Sequence, residues 1–154
     1  KQPLRGCRLV PLGAMDYVAV ASPDFARAHA PNGLSPHNFS RIPFMAFNRK
    51  DDMQAEFVGK AFGLKRVSLS QMFVPSSEGQ VRAVLAGWGA SVVPALLVQD
   101  LMAAGRLVDL LPGKLLPIQL YWHCWNLESD VLDALSTALS AGAARVLHGA
   151  LPSA

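Results

Sequence analysis

The stretch Val84-Leu85-Ala86-Gly87-Trp88-Gly89-Ala90-Ser91-Val92-Val93-Pro94 holds the end of one helix, a turn, a strand and the start of another helix. Val81, Val84 and Leu85 fall on one helical face, and Gly87 supplies the stop. Ala90 to Val93 is short and apolar, the pattern of a buried strand. Pro94 suits the first position of the next helix because its missing N–H is not needed there. Helix, strand and helix follow one another without a linker, which points to an α/β fold.

Reading outward toward the N-terminus, Arg8–Leu12 and Asp16–Ala21 form two apolar, β-branched runs, predicted as strands around a turn at Gly13. Ser22 is placed to cap a helix through Ala28, with Pro23 at its first position. Asn32-Gly33 and Ser35-Pro36 mark a loop and one more helical turn through Ser40. Pro43–Phe47 reads as a buried strand. In the following helix Met53, Phe57 and Ala61 recur every fourth residue, and Asp51 with Gln54 forms a capping box. Gly63 ends that helix, Val67–Val74 alternates as a strand, and Ser77 with Gln80 forms a second capping box.

Toward the C-terminus, the helix opened by Pro94 runs to about Ala104, pairs Leu97 with Leu101, and stops at Gly105. Leu107–Leu110 is the next strand. After the Pro112-Gly113 turn, Ile118–Trp125 alternates an apolar face with a mixed one. Ser129 caps a last long helix whose apolar face holds Leu132, Leu135, Leu139, Val146 and Leu147. Strands and helices alternate throughout, so a mixed or parallel sheet with covering helices is expected.

Composition fits one compact domain with a real core: of 154 residues, 51% are hydrophobic and 16% charged. A net charge of +3 does not mark a nucleic-acid surface, since the 14 basic residues are scattered and form no stripe. Cys7 and Cys124 lie in strand-like segments without metal-ligand spacing, and are expected as reduced core thiols of a cytoplasmic protein. No run approaches the roughly 20 apolar residues of a membrane span, and Lys1–Pro11 lacks the apolar core of a signal peptide. The chain opens without Met and almost directly into strand-like sequence, so it is expected to be a fragment lacking an upstream part.

Catalytic signatures are missing. There is no G-x-S-x-G nucleophile turn. His29 and His37 lie in polar loop sequence and His148 near the end of the last helix. His123, in the final strand, has no sequence-local partner and is read as structural. Asp51-Asp52 are adjacent and diverge on a helix, so they do not chelate, and no metal or cofactor is expected. Gly87-Trp88-Gly89 lacks a third glycine and ends a helix, unlike a phosphate loop. What remains is two helix N-termini behind strands, Asn48 to Asp52 and Ser76 to Glu78. Unpaired N–H groups there suit a ligand carboxylate, and Asp51, Asp52 or Glu78 suits a cationic group. Ordinary capping with dipole complementarity accounts for Asp51, Ser77 and Glu78 and is the favoured reading of the residues alone.

The quoted stretch resembles the V-x-A-G-x-G-x-x-x-x-P segment of LysR-type transcriptional regulators, and Gly105-Arg106-Leu107-Val108-Asp109-Leu110 is similar to their G-x-L-V-x-L segment. Further residues resemble the ArgP/LysG (IciA) branch, whose members control export and metabolism of basic amino acids. They are Arg5-Gly6-Cys7-Arg8, Leu12-Gly13, Asp16-Tyr17, Phe47, Asp51-Asp52-Met53, Ser76-Ser77-Glu78 and Tyr121-Trp122-His123. This likeness spans nearly the whole chain.

The resemblance implies an α/β, type II periplasmic-binding-protein-like effector domain, with two subdomains and an effector in the cleft between them. Residues 1–17 would close the first subdomain and hold the first hinge. Residues 18–117 would form the second subdomain, and 118–154 the second hinge and C-terminal helix of the first. The effector would be lysine or arginine, held by Ser76 and Ser77 at its carboxylate and by Asn48, Asp51, Asp52 and Glu78 at its amino groups. Operator DNA would be bound only through an N-terminal domain that these residues do not include. A homo-oligomer, no membrane contact and no catalysis are implied. A free-standing solute-binding protein of the same architecture is the first alternative, and an enzyme on that scaffold the second.

Overall fold

In the computed structural model, which describes residues 3–149, strands and helices alternate along the chain. The order is β1 (Cys7–Ala21), α1 (Pro23–His29), a 3-10 turn (Phe39–Arg41), β2 (Pro43–Ala46), α2 (Met53–Phe62) and β3 (Ser70–Phe73). Then come α3 (Ser77–Leu85), β4 (Ala90–Pro94), α4 (Ala95–Ala103), β5 (Val108–Asp109), β6 (Leu116–Trp125) and α5 (Asp130–Val146). Contacts divide the chain into two units, one from Asp16 to Leu116 and the other holding the residues up to Met15 and from Pro117 onward.

In the Asp16–Leu116 unit the strand order is β3-β2-β4-β1-β5. β2 runs parallel to both β3 and β4, pairing Met45 with Met72 and with Ser91, while β1 is antiparallel to β4, pairing Tyr17 with Pro94 and Ala21 with Ala90. The sheet is mixed because β1 arrives from outside the β-α-β series, whereas β2, β3 and β4 are joined by α2 and α3 and so must run the same way. Met45 packs with Val81, Ala83 and Val84 of α3, Val98 of α4, and Val18, Val20 and Val93. Alternation along β2 turns the fully buried Phe44 to the other face, and α2 adds buried Phe57 and Val58 outside that cluster.

The glycines of the quoted stretch have separate reasons. Gly87 takes φ +79° as the left-handed stop of α3. Gly89 does not take a positive φ, but a Cβ there would lie 2.2 Å from the Pro43 carbonyl, so only glycine lets the start of β4 approach β2.

In the other unit β6 pairs with β1, and Ala14 forms an isolated antiparallel bridge with His148. The turn expected at Gly13 is absent: Cys7–Ala21 is one strand. Gly13 sits inside it at φ +123°, where a Cβ would stand 2.4 Å from the His148 carbonyl, so this glycine serves a close backbone approach. Arg8 pairs with Asp133, and Trp122 Nε1 donates to Ser136 at 3.0 Å. Cys124 is buried as expected, whereas Cys7 is only half-buried. His123 Nδ1 is buried and is the single such side-chain polar atom among the described residues without a hydrogen-bond partner.

Four further expectations change. The strand drawn at Val67–Val74 shrinks to Ser70–Phe73, the residues in register with Pro43–Ala46 of β2, with the Val74 N–H closing the pairing on the Ala46 carbonyl at 2.8 Å. The first capping box does not form: Asp52 is the N-cap and makes no side-chain cap, and Gln54 turns inward. The second is displaced by one residue, with Ser76 as the cap accepting from Gly79 N–H at 3.1 Å and Gln80 buried. Finally, the apolar face assigned to the last helix is split. Leu132 and Leu147 are half-buried, while Leu135, Leu139 and Val146 face solvent, and no residue of α5 is buried.

Candidate functional site

The carboxyl ends of β2, β3 and β4 are where parallel strands hand the chain to helices, so N–H groups of α2 and α3 converge there. β2 and β4 stay paired only through Phe44–Ala90 and Met45–Ser91. Beyond Ser91 they part, and a cavity of about 160 Å³ opens between the helix starts. It is lined by Tyr17, Phe47, Asp51, Met53, Gln54, Ser77, Gln80, Val92, Val93 and Pro94, all within the Asp16–Leu116 unit.

Asp51 provides its acidic group. One carboxylate oxygen accepts the Phe47 N–H at 2.7 Å and, at 3.5 Å, Gln54 Nε2; the other accepts the Met53 N–H at 3.1 Å. These bonds hold the carboxylate in place just ahead of α2. Two carboxylate oxygens offer about four acceptor directions, so the group retains capacity for a ligand donor. Tyr17 stands close enough that the Asp51 charge adds to partial burial, and burial first, then that charge, raises the Tyr17 pKa above its ordinary value. Its phenol therefore stays neutral, a donor and acceptor at the cavity wall.

Of the six residues expected at the site, the cavity brings together Asp51 and Ser77. The other four lie outside its lining. Asn48 Oδ1 accepts the Lys50 N–H at 2.7 Å, closing a local turn. Asp52 lines a different depression with Glu56 and Lys60, which pair with each other at 2.7 Å. Ser76 Oγ is taken up by the Gly79 cap, and Glu78 is exposed in the first turn of α3.

Sequence reading missed Gln54 and Gln80 as site residues, treating them as cap partners. The signal was present: Gln54 precedes buried Phe57 and Val58 by three and four residues, and Gln80 stands in the same relation to Ala83 and Val84. A polar residue on an apolar stripe predicts a buried polar group with a bonding task. Gln54 Oε1 accepts the Val92 N–H at 2.7 Å, replacing the strand partner lost where β2 diverges. Gln80 Oε1 accepts from Ser91 Oγ at 3.0 Å, and its Nε2 donates to the Val74 carbonyl at 3.2 Å.

Two larger depressions, of about 560 and 550 Å³, lie elsewhere on the same unit. The first borders Ser22, Asp24, His29 and Arg106, with the Asp24 carboxylate already paired to Arg27. The first borders the start of α1 behind β1 and the second the α2 N-cap Asp52, but neither joins the starts of two helices as the Asp51 cavity does, at the strand ends favoured for ligands in open α/β sheets. Among the described residues no group of three or more His, Cys, Asp or Glu stands ready for a metal, and no helix is long and apolar enough to cross a membrane.

Comparison with known proteins agrees with this architecture. A family model described as the LysR substrate binding domain matches residues 2–142. The HTH-type transcriptional regulator ArgP of Vibrio vulnificus is 38% identical over 138 residues, covering 90% of this chain and 46% of that protein. The chain thus spans about half the length of the curated relatives it matches. The C-terminal domains of a LysR family protein from Agrobacterium tumefaciens superpose with a TM-score of 0.88 at 41% identity, over 96% of this chain and 71% of that one. Full-length LysG from Corynebacterium glutamicum, solved with the effector Arg bound, gives 0.79 at 28% identity, over 96% and 50%. The fold is the periplasmic-binding-protein-like fold of LysR effector-binding domains.

Proposed function

Because the chain belongs to the LysR substrate binding domain family, we propose that the cavity at the strand ends is the effector site of a transcription regulator, and that its effector is arginine or lysine. The observation that carries this is the Asp51 carboxylate, fixed by the Phe47 and Met53 N–H groups and facing the start of α3 across one small cavity. A fixed anion opposite a helix N-terminus suits a molecule with a cation at one end and a carboxylate at the other. Tyr17, Phe47 and Met53 supply the apolar wall for the methylene chain between them. The arginine bound by LysG supports the same chemistry.

On this reading residues 18–117 form the second effector subdomain, and the flanking residues belong to the first. The whole protein would bind operator DNA through an N-terminal domain and assemble as a homo-oligomer. The effector acts by its differential affinity for two conformations, with no bond made or broken. The names of the relatives favour a regulator over a free-standing solute-binding protein.

Isothermal titration with arginine, lysine, norleucine and glutamate tests the proposal. Binding of the two basic amino acids is expected, with norleucine and glutamate at least tenfold weaker. Asp51→Asn should weaken arginine about tenfold or more, the scale of one charge-assisted bond, while Asp52→Ala and Glu78→Ala should stay within about twofold. Equal binding of norleucine, or an unchanged Asp51→Asn, would overturn it.

A further inference from the structure

The two buried glutamines of the cavity are held by their surroundings in one orientation each. Gln54 is 1% exposed and Gln80 4%. The Val92 N–H, left without a β2 partner, can bond only to an acceptor, so Gln54 must turn Oε1 to it and Nε2 toward Asp51. The Val74 carbonyl, which also accepts the Ser76 N–H, can face only a donor and so takes Nε2 of Gln80, whose Oε1 accepts from Ser91 Oγ. An amide nitrogen carries two hydrogens. At each glutamine one of them has a protein acceptor, long in the case of Gln54, and the second has none among the hydrogen bonds of the described residues.

Both glutamines line the cavity that also holds Asp51 and Ser77. Each nitrogen is bonded through one hydrogen and keeps a second to donate. A ligand carboxylate entering the cavity can accept those hydrogens.

We infer that Gln54 and Gln80 contact the effector, donating their unspent Nε2 hydrogens to its carboxylate beside Ser77 at the start of α3. The inference rests on the proposed effector site and adds to it a selection rule. Asp51 reads the cationic end of the ligand; the amides read the carboxylate and reject amines that lack one. Neutral amides suit this task because they donate to an anion without adding a positive charge that would neutralise Asp51, as a lysine or arginine would.

The test compares arginine with agmatine, its decarboxylated form, in the parent protein, Gln54→Glu, Gln80→Glu and Gln80→Met. The parent should prefer arginine at least tenfold. Either Glu variant should lose at least tenfold for arginine and keep or gain affinity for agmatine, because a donor has become a second anion; Gln80→Met should lose arginine without gaining agmatine. An arginine-to-agmatine ratio unchanged in both Glu variants would overturn the inference while leaving the effector site standing. A parent that binds neither arginine nor lysine would remove the site itself, and the inference with it. A readout needing no variant is the side-chain NH₂ resonances of the parent. Those of Gln54 and Gln80 should move with arginine and not with agmatine, and resonances that stay still under saturating arginine count against the contact.

Discussion

The two units bury their apolar residues very differently. In the Asp16–Leu116 unit, Phe44, Met45, Val58, Val84, Ala90 and Val98 are completely excluded from solvent, and both faces of β2 carry helices. In the other unit the buried hydrophobic residues among those described are Ala14 and Cys124. Its long helix α5 turns Leu132, Ser136, Ser140 and Ala143 inward only to half-burial, its C-cap Leu147 is likewise half-buried, and Val131, Leu135, Leu139 and Val146 form a second apolar stripe in solvent. Local rules serve both units equally: α5 is well capped by Ser129, with Asp130 and Asp133 in its first turn. What differs is how many layers cover each apolar surface, so the closed unit is the one able to hold a rigid cavity.

Core truncation should separate the units most sharply. Phe44→Ala is expected to destabilise by about 3–5 kcal/mol in denaturant unfolding, as a fully buried aromatic leaves a void between two layers. Leu139→Ala on the open stripe should cost under about 1 kcal/mol, chiefly because little burial is lost. Equal costs would erase the comparison. Next in size, Gly89→Ala should cost about 1–3 kcal/mol by forcing a Cβ against the Pro43 carbonyl, measurable as a lowered midpoint at unchanged slope.

Hydrogen exchange sharpens the same contrast without mutation. Amides of β4 and β2 should exchange only by the rarest openings, and those of α5 at least tenfold faster; the reverse order would count against the layer argument. The smallest effect concerns Asp109 on β5, whose pKa is raised by burial, partly opposed by the Leu111 N–H it accepts at 2.8 Å. A raised carboxyl favours folding while protonated, and that contribution is lost as pH climbs through the folded pKa, above the unfolded value of about 3.9. The melting temperature of Asp109→Asn should therefore gain on the parent as pH rises from below the unfolded value of about 3.9. A constant difference would show that burial does not govern this group.

Most helices and strands were legible in sequence because their signals are local. Ser22, Gly63, Gly87, Gly105 and Ser129 punctuate helices as their side chains or lack of them require. Gly13 misled because its role depends on His148, far away in the chain, and a strand glycine making a close approach looks like a turn glycine from its neighbours alone. The splitting of the α5 stripe was likewise out of reach, since periodicity shows that a face is apolar and not what covers it. At the site, the two helix starts were identified, but which of Asn48, Asp51, Asp52, Ser76, Ser77 and Glu78 share a cavity depends on where β2 and β4 part, a property of pairing register. The glutamines were legible in principle from their i, i+3, i+4 spacing.

The central claim is that a basic amino acid binds at the carboxyl ends of β2 and β4 within one unit. Backbone amide shifts followed during titration with arginine test it most directly. The account predicts saturable shifts concentrated at Phe47, Met53, Ser77, Gln80 and Val93, lost in Asp51→Asn. Shifts centred on the depression around Ser22 and Arg106, or along α5, with those five amides unmoved, would contradict it.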